Sequence, residues 1–237
     1  PLVSKSELLE IAKLFDKKMS NFTIGHSASF STNDLILKVP EAIPLIFKKK
    51  YLDVLKSLLG SEILEIQHSK YNAKNISGGS KIIIHQDFPY FPHTDDRLLA
   101  FNFHLDGSSP DNGGMFCFPK KWTGPLDHVM EEGIQDLHIL PQSLSKYKKH
   151  DFICPPGGIS IHSSFLPHAS NETKGKKRRM AVYQIRHPDN KQIGGAIWKC
   201  SCLNPETMKY NSYTYNYNGK NYPGRRLWEP KEYFNIS

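Results

Sequence analysis

The chain is poor in cysteine: Cys117, Cys154, Cys200 and Cys202 are the four it has in 237 residues. Four at such irregular separations do not make the disulfide framework of a small secreted domain, and Cys-Ser-Cys at 200–202 is a short spacing for zinc. No apolar run approaches the roughly 20 residues that a membrane-crossing helix needs. The first residues, PLVSKSELLEIAKLF, interleave charged and apolar positions and do not form the continuous apolar segment of a secretory signal. A reducing, cytoplasmic setting without a membrane span is the expectation. No internal repeat is visible, which excludes a solenoid.

Acidic residues are the scarcer charge, 23 against 31 basic, for a net +8. Such an excess invites a nucleic-acid reading, because clustered Lys and Arg neutralise phosphates. The basic clusters FKKKY (47–51), KYKKH (146–150) and KGKKRR (174–179) are short and far apart in sequence. They read as solvated surface, or as attraction for an anionic small molecule, and no nucleic-acid partner is expected.

What is present suits one globular domain, with 38% hydrophobic and 23% charged residues. Ser4-Lys5-Ser6-Glu7 has capping-box spacing, and Leu8, Ile11, Ala12, Phe15 and Met19 follow at helical intervals, so an amphipathic helix is predicted over 5–19. A second is predicted over 45–59, with Gly60 as its stop. Beyond it, short β-branched and aromatic runs alternate with Gly, Pro, Asn and Asp: SKIIIHQ, LLAFNFHLD, GGMFCFP, GISIHSSF and RMAVYQIR. That pattern predicts a mainly β fold, an antiparallel barrel or sandwich with helices outside. The expected organisation is a single domain over 1–237, with helices in 1–60, the barrel in about 62–200 and an extension in 201–237. Residues 123–150 read as a long insertion near the barrel mouth, and the Tyr/Asn-rich extension as a surface strand pair or irregular wrap.

The chemistry concentrates in IIIHQDFPYFPHTDD, which carries two copies of His-x-Asp: His85 with Asp87, and His93 with Asp95. On a strand, residues two apart share a face, so either copy would aim one nitrogen and one oxygen at the same metal ion. The first copy follows a β-branched run, whereas the second follows Pro89 and Pro92, which disfavour a central strand. Two histidines and one carboxylate on one face of an ion leave three positions open, the set used by non-haem Fe(II) oxygenases. His162, His168 and His187 are candidates for the third ligand. His162, inside an apolar strand, reads as a satisfied strand histidine. His187 sits before Pro188 at a strand end, and His168 lies just past a strand beside small residues. Arg179 follows His168 by eleven residues on the next strand, where a buried guanidinium can grip a carboxylate through two hydrogen bonds.

HQDFPYFP, LLAFNFHLD with PDNGGMFCFP, and HASNETKGKKRRMAV together resemble the phytanoyl-CoA dioxygenase family of Fe(II)/2-oxoglutarate oxygenases, over about Glu65 to Arg186. The resemblance implies a double-stranded β-helix, a cupin-like jelly roll. It implies His85, Asp87 and His168 as ligands of Fe(II), with 2-oxoglutarate and O2 as cosubstrates. It places Arg179, in preference to the adjoining Arg178, on the distal carboxylate of 2-oxoglutarate, and Lys74 near that cosubstrate. Asn102, His104 and His93 are candidates for contact with substrate, Asn102 and His104 with the solvent face of a sheet as the alternative. Gln86 is expected to point away from iron and support the barrel.

The expected reaction is hydroxylation of an unactivated C–H bond of a small, anionic metabolite, with release of succinate and CO2. Desaturation or cyclisation at the same site, a non-catalytic cupin-like binding barrel, and a zinc hydrolase on the same ligands are the competing readings. Asp87 is retained where related halogenases carry a small residue, which disfavours halogenation. Nucleic-acid dealkylases pair two arginines six apart, whereas Arg179 and Arg186 are seven apart and so on opposite strand faces.

Overall fold

The computed structural model describes residues 3–23, 29–129, 137–193 and 211–226. Its first helix, α1 (Lys5–Thr23), begins at the predicted box: Glu7 N–H donates to Ser4 Oγ at 3.2 Å and Ser4 N–H to a Glu7 carboxylate oxygen at 2.8 Å. Strand β1 (Ser29–Asn33) and the short helices α2 (Leu35–Lys38) and α3 (Ala42–Ile46) lead to α4 (Lys49–Leu59). Gly60 ends α4 in the left-handed region at φ 67, as a stop glycine should.

The β region builds two antiparallel sheets. The larger is β1, β2 (Glu65–Lys74), β9 (Arg178–Arg186), β4 (Leu98–His104) and β7 (Gly158–Ser163), in that order. The smaller is β3 (Ile82–His85), β8 (His168–Ser170), β5 (Met115–Cys117) and β6 (His150–Asp151). From β2 onward the chain crosses repeatedly from one sheet to the other, which is the winding of a jelly roll, and the predicted fold class holds. A hairpin of β10 (Asn211–Tyr217) and β11 (Lys220–Arg226) follows. Its turn is Asn218-Gly219, both at positive φ, the geometry that matches strand twist. The last residues of the predicted barrel, 194–200, and the rest of the predicted extension, 201–210 and 227–237, lie outside the described residues.

Every side chain of β9 but the last is buried, so this strand has two interior faces. Ala181, Tyr183 and Ile185 turn outward with Tyr71, Phe101 and Phe103 against Ile11, Phe15 and Met19 of α1 and Tyr51, Leu55 and Leu59 of α4. Phe15 stacks on Tyr71 with ring centroids 5.4 Å apart. Met180 and Val182 turn the other way and meet Met115 of the smaller sheet. The helices therefore seal one face of the large sheet, and the space between the sheets is left for chemistry. The described part of the 123–150 insertion packs on the outer face of the small sheet, where Ile139 and Leu144 meet Phe118, Ile84 and Phe116.

One turn between β4 and β5 tolerates no side chain. Gly107 has φ 78, and a Cβ there would stand 2.8 Å from the Cys154 carbonyl oxygen. Gly107→Ala is expected to destabilise the protein by about 1–3 kcal/mol, the cost of a strained backbone residue, measured as a shift in the denaturant midpoint at unchanged slope.

Candidate active site

Between the sheets, His85, Asp87 and His168 offer ligand atoms that all lie within 4.8 Å of one another. Adjacency of β3 and β8 creates the cluster, since His85 and His168 are register partners across that ladder. A bulge between Ile82 and His85 sets the pair on the same inward face as Ile82 and Ser170. Asp87 is not on the strand, as the strand argument had required: β3 ends at His85, and Asp87 is helical (φ −70, ψ −30) at the start of a 3-10 turn over Phe88–Tyr90. The bend brings its carboxylate back to the ring it would otherwise run parallel to, with Oδ1 3.7 Å from His85 Nε2 and 3.9 Å from His168 Nε2.

Both rings are oriented for ligation. Nδ1 of His85 donates to the Ile83 carbonyl at 2.8 Å and Nδ1 of His168 to the Leu166 carbonyl at 2.9 Å, which leaves each Nε2 lone pair facing the carboxylate. Burial holds the His168 pKa well below the usual imidazole value, with repulsion from His85 adding to it. Burial would raise the Asp87 pKa, but His168, His162 and His85 together hold it well below the usual carboxylate range. A neutral imidazole beside an ionised carboxylate is the protonation state a metal ligand needs.

His162 departs from its sequence reading as a satisfied strand residue. Its Nε2 stands 3.6 Å from Asp87 Oδ2 and has no hydrogen-bond partner, while its ring lies 4.6 Å from that of His168. The missed signal is in GISIHSSF, where Ser160 and His162 alternate with Ile159 and Ile161 and so put two polar groups on one face. Gln184, also missed, donates from Nε2 to Asp87 Oδ2 at 2.8 Å. A glutamine amid the apolar run of β9 was its signal.

The two arginines face opposite ways on β9, and it is Arg178, not the expected Arg179, that turns toward the ligand cluster. Arg179 lies on the outer face of β9, where Nε and Nη2 bond both oxygens of Asp106 at 2.9 and 2.7 Å and Nη1 reaches Asp16 of α1 at 2.5 Å. These partners raise its pKa despite burial. Arg178 faces inward instead, fully buried, and lines a cavity of about 70 Å³ together with His85, Asp87, Asn102, His162 and His168. Its Nε and Nη2 find no partner, and Nη1 meets only the Met180 sulfur at 3.6 Å. Burial pushes its pKa down to about 10, which still leaves it charged at neutral pH.

Lys74 is the register partner of Arg178 and is buried, with Nζ donating to Ser170 Oγ at 2.8 Å and to the Asn171 carbonyl at 2.5 Å. Burial, then repulsion from Arg178, pushes its amine down to about 7. Because this folded value lies below the ordinary 10.5, the unfolded chain holds the proton longer as pH rises. The burial penalty is complete below pH 7 and disappears from there upward. The metal-free protein is therefore expected to gain thermal stability between about pH 7 and 9, and Lys74→Met to flatten that gain in a melting series.

Asn102 and His104 are buried on the inner face, not solvated. Asn102 Nδ2 donates to Ser160 Oγ at 3.3 Å and faces His162 Nδ1 at 3.3 Å, and His104 Nε2 bonds Ser160 Oγ at 2.9 Å. His93 is buried away from the cluster: Nδ1 bonds the Phe91 carbonyl at 2.5 Å and its backbone bridges to Gln192. Its companion Asp95 is held by Arg97 at 2.7 Å, so neither residue of the second His-x-Asp joins the ligand cluster. His187 is likewise spent locally, accepting from Asp189 N–H at 3.0 Å. Gln86 points away from the cluster, bonding the Phe165 carbonyl and accepting from Leu126 N–H at 2.6 Å.

A model of the phytanoyl-CoA dioxygenase family matches residues 7–181, most of the chain. The chain belongs to that family. The assignment to the iron and 2-oxoglutarate oxygenases, with those two cofactors, holds at the family level. A Stutzerimonas stutzeri protein described as a probable alpha-ketoglutarate-dependent hypophosphite dioxygenase is 30% identical over 141 residues, 57% of this family member and 49% of that protein. The chain thus spans about half the length of the curated relative it matches. Among solved structures, EctD of S. alaskensis with bound Fe superposes with a TM-score of 0.64 at 18% identity, over 82% of this chain and 73% of that one. The 2-oxoglutarate-dependent carbocyclase SnoK of nogalamycin biosynthesis gives 0.67 at 14% identity, over 81% and 79%. At such identities these two show the fold. Among the described residues of this family member, no helix is long and apolar enough to cross a membrane.

Proposed function

We propose that the protein is an Fe(II)/2-oxoglutarate-dependent dioxygenase that hydroxylates a C–H bond of a small anionic molecule. The observation that carries this reading is Arg178: a buried guanidinium with two unpartnered nitrogens opens into the same cavity as the His85, Asp87 and His168 ligand atoms. A metal alone leaves that cation unsatisfied, and a dicarboxylate spanning from metal to arginine satisfies it. The donor set fits iron: two neutral imidazole nitrogens and one carboxylate oxygen, with further positions open.

His85, Asp87 and His168 would hold the ion, and Arg178 would hold the far carboxylate of 2-oxoglutarate, while Lys74, bonded to Ser170 and the Asn171 carbonyl, stays outside the cavity lining. When bound, the iron supplies O2 activation coupled to oxidative decarboxylation, so that substrate C–H, 2-oxoglutarate and O2 become substrate C–OH, succinate and CO2. The chain's own part is to position and to exclude water. Ile82, Met115, Met180 and Val182 supply the apolar part of the remaining wall, beside Lys70, Asn72 and Ser170, and a low-polarity patch next to Arg178 strengthens its grip on an anion. Asn102 and the His162 side of the cavity face the reacting region.

The cavity of about 70 Å³ is small, so substrate is expected to approach from outside it. A groove of about 860 Å³ shares Ile82, Ala169 and Ser170 with the cavity wall and carries Lys81, Lys149 and Lys174. Those lysines, drawn in part from two of the basic clusters, support an anionic substrate. The S. stutzeri relative's description names a small phosphorus oxyanion, which agrees in charge. The test is succinate release by protein reconstituted anaerobically with Fe(II), then given 2-oxoglutarate and O2, across acyl-CoA, amino-acid, phosphonate and phosphinate panels. Stimulation by an anionic member is expected. Stimulation by neutral or cationic compounds alone would remove the charge argument, and no 2-oxoglutarate consumption under any condition would remove the oxygenase reading.

A further inference from the structure

We propose that Gln184 and His162 are positioning residues that keep Asp87 bound to the metal through one oxygen only. The inference rests on the metal site proposed above. Asp87 divides its two oxygens: Oδ1 faces His85 Nε2 and His168 Nε2, whereas Oδ2 accepts from Gln184 Nε2 at 2.8 Å and faces His162 Nε2 at 3.6 Å. Both flanking side chains are buried.

The three imidazoles around the carboxylate are not equivalent. His85 and His168 spend Nδ1–H on backbone carbonyls and turn a lone pair inward. His162 is reversed, because its Nδ1 faces the amide nitrogen of Asn102, a donor, at 3.3 Å. With the amide so oriented, Nδ1 accepts and the ring hydrogen resides on Nε2, which therefore presents N–H to Asp87 Oδ2. Asn102 is fixed in turn by Ser160, and Ser160 by His104. The large-sheet wall thus gives that carboxylate oxygen one hydrogen bond, from Gln184, and faces it with the His162 N–H at 3.6 Å, beyond hydrogen-bond length, while the small-sheet wall supplies two acceptors to the other side of the site.

The arrangement has a purpose because Asp87 lies outside the β3 ladder, in a helical turn that does not itself dictate which oxygen points at the metal. A carboxylate free to chelate with both oxygens would take one of the three positions that a two-point cosubstrate and O2 require. Holding Oδ2 on Gln184 and His162 keeps that position open.

Metal-free full-length protein titrated with Co(II), followed by its visible absorption, tests this without turnover. Gln184→Met and His162→Phe are expected to weaken Co(II) binding about 10-fold to 100-fold, the usual effect of losing an outer-shell partner, and to change the band shape. His162→Gln, which restores an N–H donor, is expected to recover most of the affinity. Melting of the metal-free forms checks folding. Should Gln184→Met fail to fold, Gln184→Asn withdraws the same donor by one methylene and carries the same expectation. Affinity within twofold of the parent and an unchanged spectrum in these variants overturn the inference. If Asp87→Ala loses Co(II) while they do not, the inference alone falls; if Asp87→Ala binds as the parent does, the metal site falls with it.

Discussion

Asp87→Ala is expected to reduce succinate formation by more than about 100-fold, the upper end of the loss caused by removing an outer-shell partner. Asp87 supplies the only carboxylate of the cluster, and its removal leaves two neutral imidazoles to hold the ion. It also leaves the buried Gln184 Nε2 donor without its carboxylate partner. The measurement is 2-oxoglutarate-dependent succinate release at saturating Fe(II), with a melting curve to confirm folding. Turnover at the parent rate would show that the carboxylate does not ligate. A parent-like rate in Asp95→Ala, by contrast, is what the Asp95–Arg97 pairing requires.

The architecture was legible because its cues are local. The Ser4–Glu7 box, the Ile11, Phe15 and Met19 stripe and Gly60 specify α1 and the end of α4 without long-range information, and each is where the sequence put it. The short β runs separated by turn residues predicted an antiparallel barrel or sandwich for the same reason, and the family resemblance narrowed that to a jelly roll. Choosing between strand faces was harder. In RRMAVYQIR almost every side chain is buried, so apolar alternation carries no sign of which face looks at the helices and which at the metal. Counting from His168 selected Arg179. Counting in twos from Gln184, the strand's interior polar residue, selects Arg178, because 178, 180, 182 and 184 share a face. His162 was set aside for a related reason, since a histidine in an apolar strand looks alike whether it faces a core or a cofactor. Its own strand's Ser160 marks a polar face in the sequence, and the pairing of β7 with β4 shows that this face looks into the site.

That parity leads to the sharper experiment on cosubstrate binding. Arg178→Met is expected to raise the KM for 2-oxoglutarate by roughly 100-fold to 10,000-fold, since two hydrogen bonds to a charged group at about 1.5–3 kcal/mol each would be lost. Arg178→Lys is expected to recover little, because a lysine offers a point charge where the planar fork matched a carboxylate. The neighbouring Arg179→Met should behave in the opposite way. It leaves the 2-oxoglutarate KM within a few-fold of the parent but lowers stability by about 1–3 kcal/mol, because Asp106 loses its partner and α1 its tie through Asp16. Initial-rate kinetics in 2-oxoglutarate and denaturant melts on the two variants separate these outcomes. If Arg179→Met raises the KM and Arg178→Met only loosens the fold, the inward face of β9 has been assigned to the wrong arginine, and the link from cavity to cosubstrate goes with it.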